Sequence, residues 1–223
     1  GSMRRIALAL TVLVPFALAC DPQTENPSLD GPDLEDVEDT EPEPEPCVYP
    51  ASTGLNAVGS IMPAVSWDPA MLGAGNATTF DLEQMHCDRQ EQVSSIVFVL
   101  VTEWCPNCPS YVNYVNGQAA AMAANGAQIV FVDLQDRNYA PAPSSNAQAY
   151  IADKIGDGVG FRVGSADASA PVILNSNIWT GVPNAFVVRT SDMKVVASQE
   201  TTQYMLDFGS ITANIGLDDP TNP

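Results

Sequence analysis

The seven residues Ser95–Val101, Ser-Ile-Val-Phe-Val-Leu-Val, carry no polar side chain after the first. A run this short, rich in β-branched and aromatic residues, predicts a strand covered on both faces and not an amphipathic helix. A second apolar run over residues 128–134 predicts another buried strand. Between them lie helix formers over residues 111–125, including Ala119-Ala120-Ala121-Met122-Ala123, closed by Asn125-Gly126. Strand, helix, strand in this order predicts a βαβ unit with parallel strands.

Further on, the pattern predicts a Pro-rich loop over residues 140–145, a helix over 146–155, a short strand over 159–163 and a polar loop reaching Trp179. Two strands over 185–189 and 194–198 flank the turn Thr190-Ser191-Asp192, so they pair antiparallel. A last helix is expected within residues 202–215. Upstream, strand-like pieces near 63–67 and 78–82 predict a hairpin. The fold class is therefore α/β with a mixed sheet, in one domain from residue 47 onward.

Directly after the first buried run stands Thr102-Glu103-Trp104-Cys105-Pro106-Asn107-Cys108-Pro109. Two thiols two residues apart at a helix start lie within disulfide reach, and the free amides and dipole of the helix end favour the first as a thiolate. Pro106 fits a first helical turn, so the helix is expected to begin there, with the amides of Asn107 and Cys108 offered to the Cys105 sulfur. Cys105 is then the exposed nucleophile and Cys108 the shielded resolving thiol. A haem attachment would need His after the second Cys, where Pro109 stands. A zinc site would want a second close pair, but Cys47 and Cys87 are far apart and His86 is the only histidine. A purely structural bond across two residues would gain little. The motif predicts dithiol redox chemistry with no metal and no cofactor.

Trp104 to Cys108 resembles the active site of the thioredoxin-like superfamily, Trp-Cys-x-x-Cys after a buried strand. Gly181-Val182-Pro183-Asn184 before an apolar run resembles that family's cis-proline loop. More narrowly, the spacing is similar to membrane-anchored redoxins and extracytoplasmic thiol-disulfide reductases, over residues 47–217. The resemblance implies a thioredoxin-like fold with an N-terminal β-hairpin extension, Pro183 in cis facing the thiols, and a substrate groove from Trp104, Pro106, Asn107, Val182 and Pro183. It implies protein thiols and disulfides as partners. Thioredoxin's buried acid has Val99 in its place, and Asp133, ending the next strand, reads as a turn residue, with a substitute for that acid as the alternative. Glu103 reads as solvated and His86 as surface or packing. Two other classes are weaker. The peroxiredoxin pattern Pro-x-x-x-Thr-x-x-Cys matches at Thr102 and Cys105 but has Phe98 for its proline. A copper-delivery module would carry Cys-x-x-x-Cys and a downstream His, and this chain has neither.

Residues 1–19 read as a cloning scar, Gly1-Ser2, and a signal peptide with Arg4 and Arg5 before a short apolar run. Ala17-Leu18-Ala19-Cys20 resembles a lipobox, although Ala17 and Leu18 stand where it usually has Leu and a small residue, and Ala17-Leu18-Ala19 also fits an ordinary cleavage site. Lipidation at Cys20 is the expectation, giving an exported, periplasmic or cell-envelope lipoprotein held to a membrane. Residues 20–46 then form an acidic, Pro-rich linker. From Asp21 to Pro46 there are eleven acids, six prolines and no Lys or Arg, too polar to bury a core and able to reach ~80 Å.

The net charge is −19. Without the spacer's acids and the two leader arginines, 16 acidic and 6 basic residues remain, a charge of −10. Such a surface repels nucleic acid and anionic lipid, so neither is expected as a direct partner. The chain is expected to be a monomer. With Cys105 and Cys108 paired locally, Cys47 and Cys87 are left for each other as a structural disulfide in an exported protein.

Overall fold

The computed structural model describes residues 46–54, 57–170, 181–199 and 205–222. Cys20, the leader, the linker up to Glu45 and Trp179 lie outside them. The described residues belong to one compact unit, Glu45–Pro223.

In chain order the elements are β1 (Ser66–Leu72), β2 (Asn76–Asp81), α1 (Leu82–Cys87), β3 (Ser95–Val101), α2 (Cys108–Ala124), β4 (Ala127–Asp133) and α3 (Ser144–Ile155). They continue with β5 (Phe161–Gly164), a 3-10 turn (Ser165–Asp167), β6 (Asn184–Arg189), β7 (Lys194–Ser198) and α4 (Phe208–Ala213). One seven-stranded sheet runs β2-β1-β5-β4-β3-β6-β7. The three strands β5, β4 and β3 are parallel, while β6, β7 and the hairpin β1–β2 are antiparallel additions at the two edges. This is the thioredoxin-like fold: a mixed central sheet flanked by helices, here extended past β5 by the N-terminal hairpin.

All seven residues of β3 are buried, as a strand with helices on one face and further apolar packing on the other must be. Odd positions Val97, Val99 and Val101 join Val112, Val115, Ile151, Phe208 and both Cys105 and Cys108. Even positions Ile96, Phe98 and Leu100 join Trp67, Phe80, Phe161 and Phe186. Phe98 stacks on Phe186 with centroids 4.9 Å apart.

Several boundaries differ from the sequence reading. The first hairpin strand runs to Leu72 and not only to Trp67, because Pro69, in a cis peptide bond with Asp68, sits at a register shift between Trp67 and Ala70. A proline at a bulge owes the ladder no donor. Helix α1 was not expected. Asp81 starts it by accepting from the Glu83 amide at 2.8 Å. Helix α2 begins at Cys108 and not at Pro106, which lies in the preceding turn. Pro109 occupies the first turn, where its missing N–H is not needed. Helix α3 begins at Ser144 because Asp167, 23 residues on, accepts the Ser144 amide at 2.6 Å, a tertiary cap invisible to local pattern.

Gly164 closes β5 where the loop before α3 crosses it. Its amide donates to Ser144 Oγ at 3.0 Å, and a Cβ there would collide with the backbone of Ala142, Pro143 and Ser144. Gly164→Ala should therefore destabilise the protein by about 1–3 kcal/mol, the usual cost of overpacking against backbone. Urea unfolding measures it, and a change below about 0.5 kcal/mol would show that the crossing yields freely.

Candidate active site

Strand β3 ends by delivering Thr102–Asn107 to the sheet's C-terminal edge. The loop is pinned by the Glu103 amide donating to Gln135 O at 3.0 Å, by the Cys105 amide donating to Thr102 O at 3.2 Å, and by the Leu134 amide donating to Val101 O at 2.9 Å. Cys105 and Cys108 are joined as a disulfide with Cα atoms 5.4 Å apart. Cys108 is fully buried and Cys105 is 5% exposed. The expectation of an exposed Cys105 is corrected: only an edge of its side chain meets solvent, because the 182–183 loop packs over it.

In that loop the Val182–Pro183 peptide is cis, and Cys105 Sγ lies 3.6 Å from Val182 O. A reduced Cys105 would find a thiol acceptor at that distance. Val182 and Pro183 are half-buried, whereas Pro106 and Asn107 are exposed beside the thiols. The Cys108 amide does not turn to the Cys105 sulfur as expected. It donates to Cys105 O at 3.4 Å, since the turn before α2 closes on itself.

Trp104 is 40% exposed. Its Nε1 donates to Gln135 Oε1 at 3.0 Å, and its ring centroid lies 5.4 Å from that of Tyr139. Tyr139 takes a left-handed φ of 63° in a loop whose Asp136 Oδ1 accepts from the amides of Asn138 and Ala140. The two rings form an apolar platform on the Cys105 side of the site, a partner to Trp104 that local pattern in the sequence did not reveal.

Two acids depart from their sequence readings. Glu103 is not solvated. Its side chain is 13% exposed and pairs with Arg137 Nε at 3.4 Å. Asp133 is no surface turn residue. It is fully buried, and neither carboxylate oxygen has a hydrogen-bond partner among the described residues. Strand alternation puts it with Ile129 and Phe131 on the same sheet face as the cysteines, and β4 pairs it with Val101. Burial first, then the negative charge of Glu103, pushes its pKa up to about 8, and the Gln135 amide opposes this without forming a well-made bond. Tyr150 on α3 is pushed up to about 12 by burial and then by Asp133 and Glu103. A cleft of about 400 Å³ lined by Glu103, Arg137, Asn146, Tyr150 and Asp153 opens beside them.

At the opposite end of the sheet, Cys47 and Cys87 form a disulfide with a Cα separation of 5.6 Å. It closes a loop of 40 residues, worth about 4 kcal/mol in the chain-entropy account. His86 is not at the surface: it is 9% exposed, with Nδ1 2.7 Å from Thr190 O.

Because the folded pKa of Asp133 is raised above the unfolded value of about 3.9, folding takes up a proton. The group costs nothing below the unfolded value, and its cost grows as pH rises from there to the folded value, above which it is constant. Asp133→Asn should thus be more stable than wild type at pH 8.5 by on the order of 3–5 kcal/mol, with the gap closing towards pH 4. Urea unfolding at several pH values measures this, and a pH-independent difference would refute the assignment.

No protein-family model matches the chain, and no curated protein matches it either. Among solved structures, a thiol:disulfide interchange protein from Bacteroides sp. is 17% identical, with 65% of this chain and 82% of that one covered and a TM-score of 0.44. Thioredoxin from Wuchereria bancrofti is 17% identical over 59% of this chain and 81% of that one, TM-score 0.43. The 2-Cys peroxiredoxin of Plasmodium vivax in its reduced form is 10% identical over 71% and 81%, TM-score 0.49. At such identities and scores these likenesses assign the chain no activity.

Proposed function

We propose that the chain is a thiol-disulfide oxidoreductase acting on protein substrates outside the cytoplasm, with Cys105 as nucleophile and Cys108 as resolving thiol. The observation that carries this reading is the pair itself: two joined sulfurs at a helix start, one fully buried and one with a solvent-facing edge under the Val182 carbonyl. In the reduced protein, the Cys105 thiolate attacks one sulfur of a substrate disulfide. A mixed disulfide forms and the other substrate sulfur leaves as a thiolate, taking a proton from water. Cys108 then attacks Cys105 Sγ, which remakes the internal bond and releases the second substrate thiol. Two electrons pass to the substrate, and the same steps in reverse oxidise a dithiol.

Cys108 has no solvent to take its proton before that attack. Asp133, buried on the same sheet face, accepts it and returns it to water past Glu103 and Tyr150. Trp104, Pro106, Asn107, Val182 and Pro183 border the exposed edge of Cys105 and bind the substrate chain. Lipidation of Cys20 anchors the protein, and the acidic linker gives it reach.

Kinetic trapping separates the steps. Cys105→Ser should abolish mixed-disulfide formation with a disulfide-bearing protein, and Cys108→Ser should accumulate it. Asp133→Asn should leave the first step within about twofold and slow the second by about 100-fold, in the range of general acid–base catalysis. Trapping through Cys108 in the Cys105→Ser protein would overturn the assignment of roles. Mass spectrometry of the mature N-terminus in a bacterial host should find lipid on Cys20, and an unmodified Cys20 would sink the anchoring proposal.

A further inference from the structure

Among the described residues, one group of His, Cys, Asp and Glu side chains is arranged so that three ligand atoms lie within 4.8 Å of one another: Cys47, His86 and Cys87. It is far from the redox pair. Thr190, which holds His86, directly follows β6, whose Arg189 pairs with Ser95 at the start of β3. The seven residues of β3 separate that point from the active loop, a span of ~20 Å. The Cys105 of the same molecule has no path to this second pair.

The imidazole is prepared as a ligand. Thr190 O can only accept, so the contact at 2.7 Å places the proton on His86 Nδ1 and leaves the lone pair on Nε2. Metal-bound histidines use this arrangement, with the other ring nitrogen donating to a carbonyl that fixes tautomer and orientation. Tyr49 packs edge-on against the ring at 5.7 Å, and the Thr190 amide is itself held by Ser94 O at 3.1 Å. Cys47 is exposed and Cys87 half-buried, so a reductant reaches the bond from the Cys47 side.

We propose that Cys47, Cys87 and His86 are a redox-gated Zn²⁺ site, closed as the disulfide and opened by reduction. A dithiol supplies two electrons and two protons and becomes a disulfide, or a phosphine supplies the two electrons and becomes its oxide while water supplies the oxygen and both protons; either way the Cys47–Cys87 bond becomes two thiols. Zn²⁺ then binds both sulfurs as thiolates, releasing those two protons, and takes His86 as third ligand with water as fourth. Tetrahedral geometry with Zn–S of about 2.3 Å sets the two sulfurs ~3.8 Å apart. Cα atoms 5.6 Å apart are compatible with that separation. Two thiolates and an imidazole, with no carboxylate, select a borderline-soft cation over Mg²⁺ or Ca²⁺. The site is independent of the activity proposed above.

The test uses the full chain as the triple variant Cys20→Ser, Cys105→Ser, Cys108→Ser, which leaves Cys47 and Cys87 as the only cysteines of the original five. Reduced with a phosphine and freed of it without air, the protein should bind one equivalent of Zn²⁺ in competition with a chromophoric chelator. With Co²⁺ it should show a thiolate charge-transfer band and tetrahedral d–d bands. The oxidised form should bind neither, and His86→Gln should weaken Zn²⁺ binding by at least about tenfold. If reduction loosens the fold, Zn²⁺ should raise the urea midpoint of the reduced protein. The proposal is overturned by any of three results: no stoichiometric Zn²⁺ or midpoint shift after reduction, equal affinity in His86→Gln, or equal binding by the oxidised protein.

Discussion

The complete burial of β3 is the constraint on which the rest of this molecule depends. A strand with no solvent-facing side must have hydrogen-bonded neighbours on both edges and apolar layers on both faces. The chain meets the first need with β4 and β6 and the second with α2, α3 and α4 on one face and the aromatic cluster of Trp67, Phe80, Phe98, Phe161 and Phe186 on the other. A strand so fixed has one free direction, out of its C-terminal end. The loop that leaves there is therefore held at its root by buried backbone, and the cysteine pair inherits that rigidity.

The same burial sets the electrostatics. Helices and sheet exclude water from the face that carries Cys105 and Cys108, so any ionisable group on it loses hydration. Asp133 is such a group, and an unpartnered carboxylate in that position costs the fold stability. Its retention within a low-dielectric layer also containing a thiol pair is where structure and chemistry pull against each other, a common property of redox and acid–base sites. Glu103 adds to the cost, and its own charge is paired with the mostly exposed Arg137.

The strand-turn-thiols-helix order was legible because each part has a local signal: a β-branched run, a Cys-x-x-Cys, an Ala-rich stretch and a Gly stop. The parallel βαβ unit and the antiparallel pair 185–189 with 194–198 followed from the same signals. What escaped was tertiary. The start of α3 depends on Asp167, and the path of β1 depends on a bulge that removes the objection to Pro69. The burial of Asp133 could not be read from a strand-end Asp, whose local signal is that of a turn. His86 looked unpartnered because its partner, the Thr190 carbonyl, is 104 residues away. The Trp104–Tyr139 platform likewise joins two loops that sequence distance keeps apart.

That platform gives the protein an optical property. The chain has three tryptophans. Trp67 is sealed in the aromatic face of the sheet and is remote from the cysteine pair, whereas Trp104 is the covalent neighbour of Cys105. A disulfide accepts an electron from an excited indole and darkens it, and a dithiol does so far less. Emission from Trp104 therefore brightens when the Cys105–Cys108 bond opens, and the molecule carries a built-in fluorescent gauge of its own oxidation state.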